Sequence, residues 1–157
     1  MKKIGILEIF VIFTLLLTAC GFKIVNNNKN KNIHIQKIEL VGDKRITFLL
    51  KNQILLISSP QGVNKIKVNL QISKNKKVDS KNKQGKVDRY EVSVSVKLTV
   101  KNTEDEDMFK KIFKKKIRYN VSKNHSDTID VEKKAYENIQ NSIGDEITNF
   151  MKLYFQN

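Results

Sequence analysis

From Tyr90 to Lys101 every second residue is apolar: Tyr90, Val92, Val94, Val96, Leu98 and Val100. Between them stand Glu91, Ser93, Ser95, Lys97, Thr99 and Lys101. Side chains of a β-strand point alternately to opposite faces, so this run has one face for a core and one for water. A long strand of this kind demands a sheet covered on one side only.

The neighbouring segments fit that demand. Ile66, Val68, Leu70 and Ile72 alternate with Lys65, Lys67, Asn69 and Gln71, predicting a second one-faced strand. Phe113, Ile117, Tyr119 and Val121 resume period two after the turn at 102–107, with Lys115 off-pattern. Strands joined in this way are expected to be antiparallel neighbours. The intervening segment 73–86 is polar and basic. Either the strands extend into it around Val78, or it forms a basic loop. Upstream, Ile33, Ile35, Ile38 and Leu40 form a β-prone segment whose phase slips near Gln36 and Lys37, which reads as a strand with a bulge.

Two segments have helical spacing. Asp43 offers an N-cap before the stripe Ile46, Leu49, Leu50 and Ile54, and the helix ends before Ser58-Ser59-Pro60-Gln61-Gly62. Ser126, Asp127 and Thr128 offer caps for a last helix, whose stripe is Ala135, Ile139, Ile143, Ile147, Phe150, Met151 and Tyr154. Gly144 interrupts that stripe at a cost of about 1 kcal/mol relative to Ala, which a stripe of this length overrides. The predicted fold class is α+β, a two-layer sandwich of a four-stranded mixed sheet with two helices on one face, in the order β-α-β-β-β-α. The other sheet face stays polar.

The first 19 residues read as an export signal. Lys2 and Lys3 precede a short apolar run, Ile9 to Leu17, with Glu8 as the one discordant charge. Spanning a bilayer takes about 20 apolar residues, so the run is too short for a transmembrane helix. It ends in Leu17-Thr18-Ala19-Cys20, small residues before the chain's one cysteine. This is the layout of a bacterial lipoprotein signal, cleaved between Ala19 and Cys20, with the Cys20 thiol carrying the lipid. Several acyl chains anchor a protein stably where one binds only marginally. Residues 20–32, rich in Asn and Lys, are the expected flexible tether, leaving 33–157 as a single domain. With its cysteine used as the anchor, the domain has no disulfide and must hold by packing.

The formal net charge is +14, which attracts polyanions. An exported protein does not usually meet nucleic acid, so no nucleic-acid partner is expected. A phosphate-bearing outer-membrane glycolipid fits both the charge and the export signal.

The junction Ala19-Cys20-Gly21-Phe22, the polar tether, this element order and the closing helix together resemble the LptE family of lipopolysaccharide-assembly lipoproteins. The resemblance covers nearly the whole chain in pattern, and only Cys20-Gly21-Phe22 is motif-like. It implies residence at the outer membrane, facing the periplasm, with Gly21 compatible with sorting there. It further implies a role as plug and partner of the LptD β-barrel in delivering lipopolysaccharide to the cell surface. The heavy Lys and Asn content departs from better-known relatives of that family.

Within that reading, Lys110, Lys111, Lys114, Lys115, Lys116 and Arg118 are candidate contacts for glycolipid phosphates. The same lysines also suit an exposed strand kept soluble and guarded against edge pairing, and this plainer account carries more weight. Lys74, Lys76, Lys77, Lys81, Lys83 and Lys86 form a second cluster with the same two readings. Glu104, Asp105, Glu106 and Asp107 lack the glycine and the distant glutamate of a calcium loop and read as a solvated turn. His34 and His125 stand alone, so no metal site is expected. No nucleophile elbow, phosphate loop or zinc-protease motif is present, and neither catalytic residue nor cofactor is expected. Two other classes compete with the barrel partner. One is a stand-alone lipid-anchored module that binds anionic glycolipid or an envelope polymer. The other is an auxiliary lipoprotein of an ABC-type lipid transport pathway.

Overall fold

The computed structural model describes residues 32–156. The expected signal segment, the Cys20 anchor and the tether up to residue 31 lie outside the described residues. The elements are β1 (Ile33–Val41), α1 (Lys44–Leu55), β2 (Asn64–Lys81), β3 (Val87–Lys101), β4 (Asp107–Asn120) and α2 (His125–Phe155). The strands form one sheet in the order β1-β2-β3-β4. β1 is parallel to β2, and the other two pairings are antiparallel. This is the expected α+β order, with α1 as the crossover between the parallel strands.

The phase slip in the first strand is a real bulge: Ile35 pairs with Ile66 and Lys37 with Lys67, which leaves Gln36 unpaired. The extra residue keeps Ile33, Ile35, Ile38 and Leu40 on the core side. Val92, Val94, Val96, Leu98 and Val100 are completely buried. Against them pack Ile46, Leu50 and Ile54 of α1 and Ile139, Ile143, Ile147 and Met151 of α2. α1 covers the β1–β2 side, α2 covers β3 and β4, and the two helices touch. Gly144 belongs to that contact. A Cβ there would fall 1.8 Å from Oε1 of Gln53, whose amide donates to Asp145 at 2.7 Å.

Several details differ from the sequence reading. Leu49 is 39% exposed, and Thr47 takes the inward place, its hydroxyl satisfied by the Lys44 carbonyl. In α2, Tyr154 is 44% exposed and Phe155 is buried in its stead, while Tyr136, Gln140 and Thr148 join the buried face. The N-cap position of α2 is Asn124. Thr128 is used otherwise: its hydroxyl accepts from Ser122 N–H and donates to the Asn124 carbonyl. Asp43 does cap α1, accepting from the N–H groups of Arg45 and Ile46.

Of the two readings of the basic segment 73–86, the extended strand holds as far as Lys81. β2 runs to Lys81, and the hairpin closes over 82–86. Asn82 accepts from the Gln84 and Lys86 amides with its side chain, and Gly85 sits at φ +77. The β3–β4 hairpin repeats this design. Asn102 accepts from Glu104 and Glu106, and Asp105 holds the left-handed position at φ 65.

Candidate functional site

Alternation along the strands sorts the cations into two sets that the linear sequence runs together. In β4, Phe113 and Tyr119 point into the core, so Lys111 and Lys115, in the same phase, point toward the helix layer. Lys111 lies 3.7 Å from the centroid of the Phe150 ring, and Lys115 pairs with Glu146 of α2. In β2, Lys74 and Lys76 continue the phase of Ile66 to Ile72. Lys74 lies 4.0 Å from the Tyr136 ring centroid, and Lys76 pairs with Glu132. Four members of the two predicted clusters therefore serve the sheet–helix interface.

Lys110, Lys114, Lys116 and Arg118 of β4 point to the open face, as does Lys77 of β2. Lys81 borders the 82–86 turn, and Lys83 and Lys86 lie within it. On the open face the cations gather around two carboxylates that the sequence reading had not singled out. Glu91 is only 5% exposed, although it lies on the polar face of β3. It receives Lys77 at 3.1 Å, Arg118 at 3.2 Å and Lys116 at 3.6 Å. Asp79 receives Arg89 at 2.6 Å and Arg118 at 3.0 Å. The hydrogen bond from Lys77 holds the Glu91 carboxyl below its ordinary range, against the opposing effect of burial and with further help from Lys116 and Arg118. A signal existed for Glu91: it is the one acid on the polar face of the longest alternating run.

Beside this network Asn75, Ser93 and Lys114 to Lys116 line a shallow depression of about 420 Å³, with the Lys115 ammonium turned away to Glu146. Its floor is short and polar and its rim is cationic. Four cations share two carboxylates, and Lys114 has no carboxylate partner among the described residues. Such a surface can donate charge-assisted hydrogen bonds to phosphate or carboxylate oxygens. At the other end of the same face Lys67 pairs with Asp105 and Lys110 with Asp107, holding both carboxyls below their usual range. Two of the four acids of the turn, Asp105 and Asp107, are thus paired with lysines of the sheet.

The two isolated histidines lie apart. His34 Nδ1 is 3.1 Å from the Ser59 carbonyl, and His125 opens α2. Among the described residues no group of three or more His, Cys, Asp or Glu side chains is placed to hold a metal. Among the same residues no helix is long and apolar enough to cross a membrane.

No family model and no curated protein sequence matches the chain. Solved structures do. A minor lipoprotein of Acinetobacter baumannii matches with a TM-score of 0.61 at 8% identity, over 80% of this chain and 92% of that one. Lipoprotein B of Nitrosomonas europaea matches with a TM-score of 0.58 at 13% identity, over 87% and 93% of the two chains. Rare lipoprotein B of Shewanella oneidensis matches with a TM-score of 0.55 at 15% identity, over 73% and 92%. At such identities what is shared is the fold. The chain has the two-layer α+β fold of these small bacterial lipoproteins.

Proposed function

We propose that this chain is an outer-membrane lipoprotein, anchored through Cys20 and facing the periplasm. In this reading it assists lipopolysaccharide assembly as plug and partner of an LptD-type β-barrel, with no catalysis of its own. The observation that carries the reading is the polarity of the domain along its strands. The chain enters at Asn32, which bonds to the Phe155 carbonyl and to Asn64. The cation network at Glu91 and Asp79 lies toward the opposite end, beyond the reach of β1, which pairs only with Asn64–Gln71. A tethered end and a cationic, polar-faced far end suit a domain held at a membrane that presents itself to a phosphorylated ligand in a wet pore. The fold shared with lipoproteins of three bacteria and the Leu17-Thr18-Ala19-Cys20 segment support the anchor.

Gentle detergent extraction of the native protein from membranes tests this. The expected product is a stoichiometric complex with a protein of β-barrel mass, and a polypeptide whose N-terminal residue is acylated Cys20. A monomer overturns the barrel partnership in favour of a stand-alone binding module. Co-extraction with ABC-type transport subunits overturns it in favour of an auxiliary role there.

A further inference from the structure

We infer that the free edge of β4 is a docking site for an extended acidic segment of a partner protein, which adds to the sheet as a fifth strand. An open sheet has two edges, and this one treats them differently. At the start of β1 the outward backbone is used locally: the Ile35 amide donates to Ser58 Oγ at 3.0 Å, and the Ile33 carbonyl accepts from Ser59 at 2.8 Å. The bulge at Gln36 then breaks the line. Beyond β1 the exposed end of β2 is broken in turn, with register shifts between Val78 and Lys81. Bulges of this kind are a common means of spoiling an edge.

β4 has no such break along most of its length. Its pairing with β3 is continuous from Phe109 to Asn120, and its one register shift lies at the start, near Asp107. Among the described residues, no backbone bond outside the sheet reaches Phe109–Asn120. Alternate N–H and C=O groups therefore form an unbroken, unpaired row more than ten residues long. Proline, which would interrupt the row, is absent from the strand.

The charge on that row selects its occupant. β4 carries six cations, Lys110, Lys111, Lys114, Lys115, Lys116 and Arg118, against one carboxylate, Asp107. A second copy of β4 laid alongside would set lysine against lysine on both faces, which opposes pairing. An acidic strand would instead place its carboxylates opposite Lys114 and Lys116 on the open face. Lys111 and Lys114 have no carboxylate partner among the described residues. Ile112, 65% exposed on the open face, offers one apolar contact within the row. The lysines thus guard the edge against itself and mark it for a partner of opposite charge.

The test uses the full-length chain, isotopically labelled and held in non-ionic detergent. The probe is a ten-residue peptide that alternates Glu with Val and Thr. At low salt, alternate β4 amides between Phe109 and Asn120 should exchange at least about tenfold more slowly with peptide bound, and affinity should fall at least about tenfold on raising salt to about 0.3 M. A peptide of the same sequence with alternate amides N-methylated keeps every charge and loses the ladder, so it should bind at least about tenfold more weakly. Equal binding of the methylated peptide, protection located elsewhere, or no binding at low salt overturns the inference. Loss of the barrel complex does not bear on it, because the readout is the β4 backbone.

Discussion

Lys76 of β2 and Glu132 of α2, 56 residues apart in sequence, meet in an ion pair at 2.5 Å. Tyr119 of β4 donates to the same carboxylate oxygen at 2.8 Å, and the ammonium lies 4.4 Å from the centroid of the Tyr90 ring. One carboxylate thus ties α2 to two strands where the aliphatic core gives way to aromatic and charged residues. Glu132→Gln keeps the shape but leaves the half-buried ammonium with a neutral partner. Water reaches the pair, so the expected cost is about 1–2 kcal/mol rather than that of a fully buried ion pair. Urea unfolding with an unchanged slope measures it.

The same groups set a pH profile. Burial opposes ionisation of Glu132, but hydrogen bonds from Lys76 and Tyr119 outweigh it, so the carboxyl sits below its ordinary value. Glu91 is lowered as well, first by Lys77. Folded-state values below the unfolded ones give stability that is complete above the unfolded value and is lost as pH falls through the folded values. At the alkaline side, burial and then Glu132 push Tyr119 up to about 12 from 10.0. Burial opposes the charge of Lys76, but its bonds to Glu132 and Tyr119 raise it on balance. Both groups hold their protons longer when folded, so their stabilisation is lost as pH rises beyond about 10. Thermal melts across pH should show a plateau near neutrality with a fall at each side. Glu132→Gln should soften both falls, and an unchanged profile in that variant would remove Glu132 from the account.

Much of this architecture was legible because period two survives wherever apolar residues mark it. Tyr90 to Val100 and Ile66 to Ile72 define one buried face without ambiguity, and the slip at Gln36 shows directly as a bulge. The pattern is lost where lysine carries both phases. A lysine can lay its methylenes on an aromatic ring and send its charge either way, so Lys74, Lys76, Lys111 and Lys115 look like surface residues in sequence. The same mixing hid the length of β2. The ends of the last helix depart from its stripe, since Thr128 serves the preceding loop and Phe155, not Tyr154, closes the core.

Two glycines with positive φ separate strain from space. Gly85, at φ +77 in the β2–β3 hairpin, faces open space, whereas at Gly42, φ +123, an added Cβ would lie 2.0 Å from the Ile72 carbonyl oxygen. Gly85→Ala should cost about 1 kcal/mol, the backbone penalty alone. Gly42→Ala must also move the start of α1 away from β2, and a cost of about 2–4 kcal/mol is expected. Equal losses in paired denaturation curves would mean that the close approach at Gly42 is relieved at no cost.

The division of the β4 lysines between two faces yields the sharpest test of glycolipid contact. Lys114→Gln with Lys116→Gln removes charge from the open face beside the depression, leaving Glu91 its bonds to Lys77 and Arg118. Lys111→Gln with Lys115→Gln removes the same number of charges from the side that meets Phe150 and Glu146. Net charge falls equally in both variants, so long-range attraction to an anionic surface falls equally too. Only direct contact distinguishes them. Binding to vesicles containing a phosphorylated glycolipid at low salt should weaken about three- to tenfold in the open-face variant, with a shallower salt dependence. The helix-side variant should bind within about twofold of the unaltered protein and instead lose about 0.5–1 kcal/mol of stability, through its cation–π contact and surface ion pair. Matching losses of binding in the two variants would show that the lysines act through total charge, and the open face would no longer qualify as a contact site.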